Sequence, residues 1–417
     1  MKRKHLIIGS GPAGLTALET IRRLTTADDI FLISKEACLP YSPTALPYLL
    51  SGQIEESKLW TASEMDFQKL SCRFYPGKQV HRIIPNRNEI VFKNGEKERF
   101  DTLLIATGST PIRPSLEGIE DIGFFGFHTL ADYHELVKRL NGKREVLLYG
   151  GGLVTMSLAS GLLKKGFKVR IIVRSRILRS YFNPCAGDII AQGFVTRGAE
   201  IITGREICRV GKTGDRFEAE LTDGSVFWGD LFICCLGTTP RIDFLEGSAI
   251  AVNRGILVNH RMETNIPGIY AAGDVAEATD IFGRPGINAI VPNAVAQGKV
   301  AGSNMAGEKK EFEGWIPMNV FSFFENMACS IGACQAEGND REVLEQEAKP
   351  GKTFKRLVFQ DERLIGALFV NEEVDPGIIR YLIEKRIPLK EHKALLLEKT
   401  KDACRWLRLR EDRRQGA

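Results

Sequence analysis

No stretch of the sequence approaches the roughly 18 consecutive apolar residues of a membrane span. The basic start Met-Lys-Arg-Lys leads into apolar residues 5–8, but the run breaks at Gly9-Ser10-Gly11-Pro12, too early for the core of a secretory signal. Charge of one sign is also lacking. The 57 Lys+Arg against 52 Asp+Glu leave +5 over 417 residues, which gives no case for a nucleic-acid groove. The nine cysteines are odd in number and contain no CxxC, which argues against a zinc ribbon, another metal site or a disulfide framework. Cys234 and Cys235 fall in the apolar run 231–236, expected to be a buried strand that they fill as small hydrophobes. Histidine is scarce, at positions 5, 81, 128, 134, 260 and 392, each expected to be a surface or capping residue. The expected setting is a reduced cytoplasm.

The composition otherwise is that of a folded chain, with 43% hydrophobic and 26% charged residues, which excludes disordered, fibrous and polytopic membrane classes. Its length suits two to three domains. Glycine stands out at 41 residues, and its placement carries the argument.

Residues 5–36 have the pattern of one βαβ unit. A short apolar strand at 5–8 meets the turn Gly9-Ser-Gly11-Pro-Ala-Gly14. A helix follows with Leu15, Leu18, Ile21 and Leu24 at helical spacing, then a second strand at 30–33. In such a unit Gly9 permits the tight turn, Gly11 lets a pyrophosphate approach the backbone, and Gly14 lets helix and strand pack closely. The helix N-terminus offers free N–H groups and a positive dipole end. Glu36, 22 residues after Gly14, is placed to accept hydrogen bonds from a ribose diol.

The pattern recurs at 146–174, with a strand at 146–149, the turn Gly150-Gly-Gly152-Leu-Val-Thr155, a helix at 156–165 and a strand at 169–173. Thr155 stands where a third glycine would be, and is expected to hold the helix slightly off the strand. The second strand ends in Arg174-Ser175-Arg176 with Arg179 close behind, and not in an acid. Arginines there suit a 2′-phosphate and favour NADP(H) over NAD(H). NAD(H) and a degraded site are the other readings. Two nucleotide sites in one chain imply two cofactors that exchange electrons, one resident and one exchanging.

With these residues in view the chain resembles the flavoprotein reductases with two dinucleotide-binding domains, in the pyridine nucleotide–disulfide oxidoreductase superfamily. The further motifs are 102–111 (Thr-Leu-Leu-Ile-Ala-Thr-Gly-Ser-Thr-Pro), its weaker echo at 231–240, 264–274 ending in Ala-Ala-Gly273-Asp274, and 294–302. The resemblance implies an α/β fold of two Rossmann-like domains, one inserted in the other. The FAD-binding domain would be 1–110 plus 245–315, the NAD(P)-binding domain 111–244, and a C-terminal α+β interface domain 316–417. It further implies that Gly9, Gly11, Gly14 and Glu36 serve FAD, that Asp274 beside Gly273 bonds the ribityl and pyrophosphate region, and that Thr107-Gly108 marks the crossover out of the FAD domain. Gly150, Gly152, Arg174 and Arg176 would serve NAD(P).

Disulfide reductases of the superfamily carry a CxxxxC pair after the first βαβ unit, and this chain has none. The oxidase, peroxidase and coenzyme A disulfide reductase branch has one cysteine in a segment resembling Cys-Gly-Leu-Pro-Tyr-Tyr-Ile-Ser-Gly. Here residues 44–52 read Thr-Ala-Leu-Pro-Tyr-Leu-Leu-Ser-Gly, with Thr44 in the cysteine's place, where it would lie near the isoalloxazine. A threonine forms no sulfenic acid or mixed disulfide. Cys38, six residues earlier, is the one thiol that could substitute. The glutamate many relatives place two residues past the third glycine is here Ser157.

Residues 312–319 read as a linker into the C-terminal domain. Strands are expected at 320–324, 354–360 and 364–370, with a hairpin turn at 360–363, a helix at 376–386 and helical pattern over 389–397. In relatives this domain mediates dimerisation or covers the flavin, so a homodimer and a place in a hetero-oligomeric complex are both implied. The tail carries Arg405, Arg408, Arg410, Arg413 and Arg414 around Trp406. It is either a solvated helix end or a docking strip for an acidic partner. The resulting expectation is an FAD-dependent NAD(P)H oxidoreductase passing electrons between a nicotinamide and an iron–sulfur protein or subunit without a redox-active cysteine. It resembles the cysteine-less nitrite, rubredoxin and ferredoxin reductase flavoproteins and the FAD subunit of phenylglyoxylate-type 2-oxoacid dehydrogenases. The alternatives are a stand-alone NAD(P)H oxidase and a flavin-bearing structural subunit with a decayed nicotinamide site.

Overall fold

The computed structural model describes residues 2–400. The arginine-rich tail lies outside the described residues. Along the chain, β1 (Lys4–Ile8), α1 (Pro12–Leu24) and β2 (Asp29–Ile33) form the first βαβ unit, and β3 (Cys72–Tyr75) and β4 (Thr102–Ile105) follow. The second unit is β5 (Glu145–Tyr149), α2 (Leu153–Lys164) and β6 (Lys168–Val173). After it come α3 (Pro184–Val195), β7 (Glu200–Thr203), β8 (Leu231–Cys234), β9 (Ile269–Ala271) and α4 (Val291–Met305).

The chain divides into two compact bodies, one of residues 2–46, 54–111 and 238–315, the other of residues 47–53, 112–237 and 316–400. The first is built on a five-stranded parallel sheet in the order β9-β4-β1-β2-β3. These strands are short runs of Ile, Leu and Phe without polar alternation, as a sheet covered on both faces requires. α1 and α4 belong to one core with the sheet, and the antiparallel strands Val80–Ile84 and Glu89–Phe92 add Val80, Ile83, Ile90 and Phe92 to it. Pro12 at the first helical position and Arg22 and Arg23 in the last turn suit α1 to its dipole.

The second body holds a four-stranded parallel sheet in the order β7-β6-β5-β8. The antiparallel strands Ile207–Thr213 and Arg216–Leu221 pack on it through Ile207, Val210, Ala219 and Leu221. Its other sheet is antiparallel and five-stranded: Met318–Phe323, Asn326–Gly332, Arg363–Val370, Phe354–Gln360 and Glu342–Gln346, in that order. Pro376–Glu384 packs against it, capped by the Asp375 side chain. Phe194 of α3 stacks on Phe323 at 5.6 Å between ring centroids, joining this sheet to the parallel one.

The boundary between the two bodies falls at 315/316, within the segment expected to be a linker, whose start is anchored: Phe312 is buried, its N–H donates to the His260 carbonyl, and the Trp315 indole donates to the Ala278 carbonyl at 3.1 Å. One expectation is corrected: His5 is no surface residue. It is fully buried on β1, with Nδ1 2.7 Å from Thr102 Oγ1 and Nε2 3.1 Å from Asp28 Oδ2.

Candidate dinucleotide-binding sites

Both glycine turns lie at the C-terminal ends of parallel strands, where open α/β sheets bind ligands. In the first, Gly9 has φ +113° and its N–H donates to the Ile33 carbonyl at 2.8 Å. A side chain there would overlap the Ala106 carbonyl oxygen, and one at Gly14 would overlap the Gly9 carbonyl. Gly11 differs, because nothing lies within 4 Å of where its Cβ would stand. It is the N-cap of α1, no side chain caps that helix end, and the first turn carries no acid. The result is an open cradle of backbone donors at a positive dipole end, which fits a pyrophosphate.

Three further groups face the same end of this sheet. Glu36, three residues past β2, is exposed, and its Oε2 accepts a hydrogen bond from the Tyr41 hydroxyl at 2.8 Å. Thr107 Oγ1 donates to the Arg241 carbonyl at 3.1 Å, and the Arg241 N–H donates to the Gly108 carbonyl at 3.0 Å. Asp274 Oδ2 accepts from Ser109 Oγ at 3.1 Å, and Gly273 N–H donates to Gln297 Oε1 at 2.8 Å. Gln297 is buried on α4, so a side-chain amide of that helix holds the turn that carries Asp274. Tyr41, Ser109, Arg241 and Gln297 were missed by sequence reasoning. Only Gln297 and Ser109 stand inside a recognisable motif. Lys35 and Arg241 add positive charge, and burial and then the Arg241 charge lower the Lys35 pKa.

Thr44 lies in the turn Pro43–Ala45, exposed, with its hydroxyl 3.0 Å from that of Ser42. Cys38 is half-buried, and burial followed by the Glu36 charge raises its thiol pKa. Burial likewise holds the Cys72 thiol at about 12. A redox thiol needs the opposite shift.

In the second body Gly150 repeats Gly9, with φ +127° and an N–H donating to the Ile172 carbonyl at 2.9 Å. Gly152 repeats Gly11: it is the N-cap of α2 without a side-chain cap, and the space over it is open. This second cradle also fits a pyrophosphate. Thr155 occupies the position equivalent to Gly14, fully buried, and donates from Oγ1 to the Cys235 carbonyl at 3.3 Å. The second turn is therefore wide enough for a side chain that the first could not hold, in line with the expectation that Thr155 spaces the helix from the strand. Ser157 is half-buried on α2.

The arginines after β6 have separate partners. Arg174 is exposed and pairs with Glu206 at 3.3 Å. Arg176 turns its Nη2 toward the Arg179 carbonyl and Gln335 Oε1, each at 3.5 Å, and its Nη1 is buried without a partner beside Gly187. Between these residues the chain folds back over the turn, and the Leu178 N–H donates to the Gly151 carbonyl at 2.6 Å. Among the described residues no group of three or more His, Cys, Asp or Glu is arranged to hold a metal ion, and no helix is long and apolar enough to cross a membrane.

Residues 3–298 match the family described as pyridine nucleotide-disulphide oxidoreductase, and the chain belongs to it. It is an FAD-dependent NAD(P)H oxidoreductase of that family. It is 33% identical over 390 residues to the epsilon subunit of an NADH-dependent phenylglyoxylate dehydrogenase from Aromatoleum evansii, covering 93% of this chain and 92% of the relative. It is 27% identical to an NADH-rubredoxin oxidoreductase from Clostridium acetobutylicum, covering 90% of each. Among solved structures, a covalent putidaredoxin reductase–putidaredoxin complex has the same fold, with a TM-score of 0.85 at 21% identity, covering 93% of this chain and 94% of that one.

Proposed function

We propose that this chain carries electrons between a nicotinamide dinucleotide and an iron–sulfur protein or subunit, with FAD at the first glycine turn and no thiol relay. The observation that carries the proposal is the state of the sulfur near the first turn. Thr44 replaces the cysteine of thiol-dependent relatives, and burial raises the pKa of the Cys38 thiol instead of lowering it. FAD, when bound, supplies the link between two-electron exchange with a nicotinamide and one-electron exchange with an iron–sulfur centre.

The chain's own residues bind and orient. Backbone donors around Gly11 take the pyrophosphate, Glu36 takes the adenosine ribose, and Asp274, fixed by Ser109, takes the ribityl side. Gly150 and Gly152 form the second cradle. With no acid, base or nucleophile required, catalysis rests on placement and electrostatics. The near-complete mutual coverage with the phenylglyoxylate dehydrogenase subunit supports a place as the flavin subunit of a multi-subunit 2-oxoacid dehydrogenase.

The test is anaerobic mixing of the FAD-loaded chain with NADH or NADPH, then with an oxidised ferredoxin or rubredoxin. Flavin bleaching followed by reduction of the iron protein is expected, unchanged after alkylation of the thiols. Fast aerobic turnover with no transfer to either iron protein would favour the oxidase. No bleaching with either nucleotide would leave a structural flavin subunit.

A further inference from the structure

The second glycine turn is followed by two arginines that would suit a 2′-phosphate, yet only one of them faces the region where a ribose is held. In dinucleotide folds the adenosine ribose lies at the end of the second strand, which here is Arg174, the residue after β6. The Gly204 N–H donates to the Ser175 carbonyl at 3.0 Å, which ties the segment after β7 to the segment after β6. That tie brings Glu206 Oε1 to 3.3 Å from Arg174 Nε. Both charges also act on Tyr149, the last residue of β5 and the neighbour of Gly150. Glu206, Arg174 and the glycine turn thus converge on one place.

We infer that Glu206 sets the nucleotide preference of this site, favouring NADH over NADPH by engaging Arg174 where a 2′-phosphate would sit. This rests on assigning the second turn to the nicotinamide dinucleotide. A ribose 2′-hydroxyl can donate to the Glu206 carboxylate, whereas a phosphate dianion meets that carboxylate and an arginine already paired. Arg176 does not compensate, because its guanidinium is directed to the Arg179 carbonyl, Gln335 and Gly187. Arg179 is exposed and makes no ion pair among the described residues, so its substitution tests whether a cation other than Arg174 sets the ratio.

The experiment measures binding of ADP and of 2′,5′-ADP to the FAD-loaded chain by calorimetry, with the retained flavin keeping both probes off the first turn. Anaerobic bleaching by NADH and NADPH is followed in parallel. Wild type is expected to prefer ADP and NADH. Glu206→Gln is expected to shift both ratios toward the phosphorylated form by about fivefold, the size of a part-exposed charge interaction, and Arg179→Gln is expected to leave them unchanged. A wild-type preference for 2′,5′-ADP overturns the inference. So does an unmoved ratio in Glu206→Gln, or a shift that appears only in Arg179→Gln. Binding of neither probe, with no bleaching, removes the nicotinamide assignment itself and is distinct from a wrong preference.

Discussion

At the scale of single residues, the buried pair His5–Asp28 shows how a polar network can be required for the fold alone. An ionised Asp28 requires His5 Nε2 to carry the proton, so the Thr102 hydroxyl donates to Nδ1 and every polar atom of the ring is satisfied. Burial would raise the Asp28 pKa, but the Arg3 N–H at 3.0 Å and His5 outweigh it and hold the carboxyl at about 2. Because the folded value lies below the unfolded one, the Asp28 contribution is full above about pH 4 and disappears as pH falls toward 2. Burial lowers the His5 pKa, which adds a loss beginning just below the unfolded histidine value near 6.5. Asp28→Asn is therefore expected to cost about 2 kcal/mol at neutral pH, with the wild-type and variant curves converging in acid. Urea titrations at pH 7, 4 and 2.5 would show it, and a constant gap across that range would refute it.

At the scale of elements, the contact between α1 and α4 is set by small residues. Gly298 and Gly302 stand one turn apart on α4 against Ala13 and Ala17 on α1. A methyl at Gly298 would overlap the Ala13 carbonyl oxygen, and one at Gly302 would lie 2.7 Å from that of Ala17. Neither clash is with a flexible side chain, so a helix must shift. Gly298→Ala is expected to destabilise by about 1–3 kcal/mol and to lower the FAD content of purified protein, because α1 carries Gly11 and α4 holds the Asp274 turn through Gln297. Thermal unfolding and the ratio of flavin to protein absorbance would check both. The βαβ units were legible in the sequence because hydrophobic period, glycine spacing and strand length agreed. The strands Asn326–Gly332 and Glu342–Gln346 were not. The first is rich in Ala, Ser, Cys and Gly and lacks a β-branched signature, and the second is a charged edge strand. The candidate sites were legible as far as glycines and Glu36 go. Tyr41, Arg241 and Gln297 were not, since each acts through a contact between residues distant in the chain or outside any motif.

At the scale of the whole molecule, the first body is assembled from three separated stretches of chain. Its adjacent strands β1 and β4 come from the first and second stretches, residues 2–46 and 54–111, while the neighbouring strand β9 and the helix α4 come from the third, within residues 269–305. A fragment of residues 1–111 thus has Gly9, Gly11, Gly14 and Glu36 but lacks Asp274, Gln297 and the α4 surface that α1 covers. It is expected to retain no FAD after gel filtration, whereas the full chain does. Stoichiometric flavin in the fragment would show that the first βαβ unit suffices.

That division also has a consequence for the order in which the protein is made. The N-terminal strand and helix leave the ribosome first, yet the helix that seals them is complete only at residue 305. At roughly 5–20 residues per second, the uncovered face of α1 waits on the order of fifteen seconds to a minute for α4, and the open edge of β4 roughly ten to thirty seconds for β9. During that interval residues 112–237, which hold the whole four-stranded parallel sheet of the second body, are synthesised. Flavin capture is therefore a late event in biosynthesis, and a nascent chain stalled before α4 would be a substrate for chaperones with both glycine turns synthesised and the first still unsealed.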